Sequence, residues 1–375
     1  MARINLSDNI HCRSRQLYLQ TNTLEEESKI VSTLFDGGRV LRKVETPYDA
    51  CIPDDRLSRL VETFHRENQS AISLLFEIST RIKTVRHIRS LVTLGRQFLR
   101  WNLLDETISE LQLAIQYDAT CGEAYYYLGE AYLRRGGVDE AIQILKKGIE
   151  VAPDYADLQY RLGKAHHAAG EFDQALKLFD RALEINPEYE EPHFAKALCL
   201  VEMMAAEWDE SGSSDQDVRF ERVKDNLSRV AAKSSRFRIP AFEEAMRQLH
   251  RRHITKTLDL MRQVERDLPK MIDLDFHDIF YLNVLYGERG RDRKAVDVYI
   301  AQLEALIRKH PTYADLQNML GVACLIQCRN VFNRSLRHFQ KACDLNPDFE
   351  RAQSNLKLAK NDGKGLLILL RALLK

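Results

Sequence analysis

Apolar side chains recur along most of this chain at the three- and four-residue spacing of one helix face. Leu91 and Phe98 share such a face, as do Tyr125 and Tyr132 thirty-four residues later. The first fifty residues differ. Gln16–Thr23 has a β-like composition, and Lys29–Thr46 carries two β-branched runs around Asp36-Gly37-Gly38, a hairpin signal. Two or three short strands are marginal alone in water, so a helix should cover them. Asp54–Lys83 fits, with Leu57, Leu60, Val61, Phe64, Ala71, Ile72, Leu75 and Ile82 on one face and Pro53 just before its start.

A fixed period organises the chain beyond this helix. Leu94-Gly95, Leu128-Gly129 and Leu162-Gly163 are spaced by 34 residues, as are Pro153 and Pro187. A unit of that length accommodates two short helices and a turn, each unit exposing an apolar face that only its neighbour covers. The glycines allow two helices to approach closely. Ala141 and Ala175 sit at the tight crossing of the second helix; Leu111, Leu145 and Phe179 follow, then Ala114, Gly148 and Ala182. Pro153 and Pro187 stop the second helix.

This arrangement resembles the tetratricopeptide repeat family, with repeats starting near residues 88, 122, 156 and 190. Gln159, His166 and Thr107 depart from its usual pattern. The resemblance implies a mostly α fold, a right-handed α-solenoid of helix-turn-helix repeats, to which the residues above add a small N-terminal β-hairpin module. The motif returns late: Tyr155-Ala156-Asp157-Leu158-Gln159 recurs as Tyr313-Ala314-Asp315-Leu316-Gln317, and Glu184-Ile185-Asn186-Pro187 as Asp344-Leu345-Asn346-Pro347. Leu320-Gly321 through Phe339, Ala342 and Pro347 therefore reads as another repeat, with two residues inserted in its turn. Leu282, Tyr286, Ala295, Tyr299 and Pro311 read as a looser one with a lengthened second helix.

The resulting organisation is a β-rich module (1–53), a connecting helix (54–87), a repeat array (88–207), an acidic mobile loop (208–217), a divergent basic helical segment (218–275), a second array with its capping helix (276–360) and an apolar C-terminal helix (361–375). Within the basic segment, helical spacing covers Val218–Ala232, and Pro240–Leu268 is either one long helix or a divergent pair.

Charge narrows the function. Lys+Arg and Asp+Glu are both 55, which disfavours wholesale polyanion binding. Arg219–Lys256 does hold eleven basic residues against four acids, so a nucleic-acid-facing patch is the rival reading, set against a solvated helix face. The seven cysteines are scattered as reduced thiols are, and no stretch reaches the ~20 apolar residues of a membrane span. A cytoplasmic setting is therefore the expectation.

Nothing in the sequence marks chemistry. There is no phosphate loop, nucleophile elbow or His-Glu-x-x-His, and Cys324, Cys328 and His338 lack a fourth ligand at suitable spacing. A non-catalytic scaffold or adaptor without cofactor or metal is expected. The resemblance places first-helix residues on a concave groove, here Arg96, Arg100, Tyr126, Tyr127, Glu130, Tyr160, Arg161, Lys164, His167 and Phe194. Tyrosines beside arginines suit a peptide, which would be net acidic with an apolar anchor. Some family members grip a C-terminal carboxylate with Lys and Asn at groove positions that here hold Val92, Arg96, Tyr127, Asp157 and Arg161, and only Arg161 fits. Leu366–Leu374 is apolar nearly all round, so it should cap the array and also offer a surface for self-association or docking; a membrane-assembly role is the third reading.

Overall fold

The computed structural model describes residues 4–12, 15–83, 85–206, 214–268, 275–287, 292–311, 313–345, 347 and 350–373. The chain forms two compact units, Met1–Thr93 with Leu274–Lys375, and Leu94–Asp273.

The first unit opens on a four-stranded antiparallel meander, β1 (Asn5–Cys12), β2 (Arg15–Leu24), β3 (Lys29–Asp36) and β4 (Arg39–Pro47). The hairpin signal is met by a two-residue loop: Asp36 pairs with Arg39, and Gly37 and Gly38 both take positive φ, as a twist-compatible turn requires. Strand β1 is the addition to the expected two or three strands. Its sequence is largely polar because it lies at the sheet edge, where only Ile10 and Cys12 are buried. Strand β3 is central, with Ile30, Val31, Ser32, Thr33 and Leu34 all buried.

Helix α1 (Asp54–Ile82) packs on β1, β2 and β3. Its buried face holds Leu57, Val61, Ile72, Leu75 and Ile82 as the spacing predicts, whereas Leu60 is exposed. His65 takes a place on that face. It bridges Thr21 Oγ1 at 2.8 Å and Asp8 Oδ2 at 3.1 Å, and Thr21 meets Ser32 at 2.9 Å, so the buried polar groups satisfy one another.

Helix α2 (Ile88–Arg100) leads into the second unit, an array of paired helices: α3 (Leu104–Tyr117), α4 (Gly122–Arg135), α5 (Val138–Val151), α6 (Ala156–Ala168), α7 (Phe172–Ile185), α8 (Glu190–Ala206), α9 (Ser214–Lys233), α10 (Pro240–His250) and α11 (Ile254–Asp267). The turns keep the 34-residue register. Asn102, Gly136 and Gly170 all have positive φ, a conformation that glycine and, less readily, asparagine tolerate. A Cβ placed on Gly95, Gly129 or Gly163 would lie within 2.8 Å of Leu111, Leu145 or Phe179 respectively, which confirms the close crossings. Pro240–Leu268 resolves into two helices, separated by Arg252 at φ 57°. The acidic segment 208–217 is partly helical: α9 already begins at Ser214, and residues 207–213 lie outside the described residues.

The chain then returns to the first unit. Helices α12 (Asp275–Tyr286) and α13 (Arg293–Lys309) form the looser pair, and Arg81 Nη1 donates to the Tyr286 carbonyl at 2.7 Å. The next element departs from expectation. Ala314–Leu345 is one continuous 32-residue helix, α14, where a helix, turn and second helix were expected. The position aligned with the turn glycine Gly136 is Cys328, and Gln327-Cys328-Arg329-Asn330-Val331 offers no glycine to leave the helix. Helix α15 (Glu350–Leu373) packs against α14 and takes in most of the apolar C-terminal stretch, whose side chains lie outside the described residues.

Candidate peptide-binding groove

The candidate groove residues come from the first helix of each pair, because a four-residue step on α4 and a three-residue step on α6 bring Tyr126 and Glu130, and Arg161 and Lys164, to neighbouring faces. Arg161 is the centre. Its guanidinium donates to Glu130 and to the Tyr126 hydroxyl, and lies 4.7 Å above the Tyr126 ring and 5.8 Å from that of Tyr160. Glu130 also accepts from Arg134 Nε at 2.7 Å, and Arg134 caps the Leu99 carbonyl at 3.1 Å. Arg161 and Glu130 side chains are 16% and 15% exposed, so solvent screens this pair weakly. Burial acts to lower the Arg161 pKa, but Tyr126, Glu130 and Tyr160 outweigh it and keep the cation firmly charged.

Tyrosines surround this cation. Tyr126 and Tyr127 meet edge to face at 5.0 Å, and Tyr160 contacts Tyr189 at 5.4 Å and Phe179 at 5.8 Å. Burial raises the phenol pKa values of Tyr127, Tyr160 and Tyr189 above the usual value of 10.0, so all three hydroxyls remain protonated donors at neutral pH. Arg96 extends the row: it reaches the Tyr127 hydroxyl at 3.3 Å and Glu123 at 3.4 Å. Arg100 is half-buried in the last turn of α2.

The remaining sites changed character. Lys164 pairs with Glu265, and His167 Nε2 lies 2.6 Å from Glu202, which also accepts from Arg262 Nη2 at 2.9 Å. Glu265 and Arg262 belong to α11, which packs on α8. Phe194 is a correction: it is buried, 5.2 Å from Phe237, and belongs to the core formed by α7 through α11. Its helix is apolar nearly all round because α11 covers the side that the spacing left open.

Sequence reasoning omitted Tyr189 and the α11 residues. Tyr189 sits between repeats, and a hydrogen bond to Asp157 ties it to the groove. Glu265 lies about a hundred residues from Lys164, outside any period. Cys324 and Cys328 are exposed, and among the described residues no group of three or more metal-ligating side chains forms. No helix among them is long and apolar enough to cross a membrane.

Comparison with known proteins agrees with the repeats. The tetratricopeptide repeat family matches residues 103–166 and 138–199. No curated protein matches the chain. Solved structures similar to it include MamA, at 22% identity over 45% of this chain and 93% of that one, with a TM-score of 0.38. YrrB, described as a repeat protein with an unusual peptide-binding site, is 18% identical over 50% of this chain and 97% of that one, with a TM-score of 0.34. An O-GlcNAc transferase from Thermobaculum terrenum is 19% identical over 39% of this chain and 26% of that one, at 0.33. With helices paired at a 34-residue period and glycines at their crossings, residues 103–199 of this chain carry tetratricopeptide repeats.

Proposed function

We propose that this protein is a non-catalytic scaffold whose groove on α4 and α6 holds an extended segment of a partner protein. The observation behind this reading is the half-buried cluster of Tyr126, Tyr127, Tyr160 and Tyr189 around a fixed Arg161. Tyrosine offers large, stiff contact area at small entropic cost, together with a hydroxyl donor. Arg161 is already oriented by Glu130 and Tyr126, so a ligand would not have to order it.

Apolar anchors on the partner, more than net acidity, are the basis of selectivity in this reading. The expectation of an acidic ligand rests on Arg96, Arg100, Arg161 and Lys164, and of these Arg96, Arg161 and Lys164 already have a carboxylate from this chain. Their mutual neutralisation leaves little free charge to attract one. A cytoplasmic setting goes with the proposal, since no disulfide joins the described cysteines. The nucleic-acid reading is weaker, because Lys224, Arg229, Lys233, Arg236, Arg247 and Arg252 of the basic stretch all lie in ion pairs.

Peptide display tests the groove. Peptides selected on the wild-type chain and counter-selected on Tyr126→Ala should converge on a motif with an apolar or aromatic anchor, bound with little dependence on salt. Peptides that bind both proteins equally, or binding lost at ~0.15 M salt, where the screening length is ~8 Å, overturn the reading.

A further inference from the structure

The repeats obey a packing rule that α14 breaks. Gly95, Gly129 and Gly163 are each covered by a large side chain from the helix that follows, Leu111, Leu145 and Phe179. Gly321 holds the same place in the late repeat, and with two residues inserted, Phe339 is the side chain that should cover it. Yet both lie on one uninterrupted helix. At ~1.5 Å per residue, they stand roughly 27 Å apart.

The seat is accordingly open. Among the described residues, a Cβ on Gly321 would meet nothing within 4 Å. Gln317, Gly321, Cys324, Cys328 and Val331 follow one another at helical spacing, and all are exposed, Val331 at 58%. The opposite face is in use, with Leu316 and Ala323 packed beside Tyr299 and Leu303 of α13, and Ile326 beside Val296. The complement to the open face is written in this chain, but its own helix cannot fold back without breaking. A second copy can supply it.

We propose that the Gly321 face is covered by the Phe339 segment of a second copy of this chain, and that each copy covers the other. Two α14 helices would lie antiparallel about a twofold axis near Asn330, midway between Gly321 and Phe339 in sequence. The pairing is isologous, since each copy offers the same seat and the same insert. It restores between copies the crossing that Gly129 and Leu145 make within one. Helix α15 stays on α14, as the connection of this structure already has it.

Analytical ultracentrifugation of the full chain over a concentration series tests this. The wild type should form a dimer. Gly321→Leu should remain monomeric at concentrations tenfold above the wild-type midpoint, and well below that midpoint, where both chains are monomeric, its melting temperature should be unchanged or higher, because the leucine enters open space in the single copy and fills the seat in the dimer. Phe339→Ala should also weaken the dimer at least tenfold. Leu366→Asp/Leu370→Asp should leave it intact, which separates this surface from the C-terminal stretch. A wild type that stays monomeric, a Gly321→Leu chain that dimerises normally or melts earlier where both chains are monomeric, or a dimer lost only with the C-terminal changes overturns the proposal.

Discussion

Leu145 lies over Gly129 so closely that a Cβ on the glycine would fall 2.5 Å from its Cγ, nearer than real Cβ atoms approach. The same relationship joins Gly163 to Phe179, so the period is a period of contacts between helices. Gly129→Leu should therefore force α4 and α5 apart. Overpacking of this kind costs ~1–3 kcal/mol, read as a lower urea midpoint. An unchanged midpoint would contradict the crossing.

The turns provide a second test that is independent of packing. Gly136 has φ 87°, and a Cβ there meets nothing within 4 Å among the described residues. Gly136→Ala should still destabilise, by roughly 1–2 kcal/mol, through backbone strain alone. Asn102→Gly, at φ 57°, should be neutral or stabilising. Equal effects from the two substitutions would argue against a left-handed turn.

Arg161 and Glu130 should be energetically coupled. Either Arg161→Met or Glu130→Leu leaves a poorly solvated partner charge, with an expected loss of ~1.5–3 kcal/mol. The double variant should lose less than the sum of the single losses in a mutant cycle. Additive losses would mean that the pair contributes no coupling.

His193 should make stability depend on pH. Burial holds its pKa below the ordinary 6.5, despite the opposing hydrogen bond with Asn226. The Asn226 amide nitrogen donates to the Arg222 carbonyl, so its oxygen faces His193 Nδ1 at 2.9 Å and the imidazole donates. As pH falls below 6.5, the unfolded chain takes up a proton that the folded chain resists, and stability drops until the folded pKa is passed. Urea midpoints between pH 5 and 7.5 should rise toward neutrality in the wild type and rise less in His193→Gln. An identical slope in both would assign the effect elsewhere.

Thiol reactivity should separate the cysteines. Burial pushes the Cys199 thiol up to about 12, while Cys51, Cys324 and Cys328 are exposed. Mild alkylation followed by peptide mapping should label those three first and Cys199 only after denaturation. Early labelling of Cys199 would show that the α7–α11 core opens readily.

Much of this protein was legible in its sequence because the relevant physics is local or periodic. A glycine at a crossing, a proline after a helix and Asp36-Gly37-Gly38 in a hairpin act within a few residues, and repetition at 34 residues carries the local pattern to the next unit. The 2.0-residue alternation of β2, with Leu17, Leu19, Thr21 and Thr23 inward, is equally local. Tertiary structure decided whatever depends on a partner outside the period. Lys164 meets Glu265, Phe194 is covered by the Phe237 region, polar β1 joins the sheet edge, and His65 enters the core because Thr21 and Asp8 can satisfy it. Cys328 shows the boundary between the two: the late repeat keeps the residues for packing but not the glycine for turning, and an α-helix continues where nothing makes leaving it favourable.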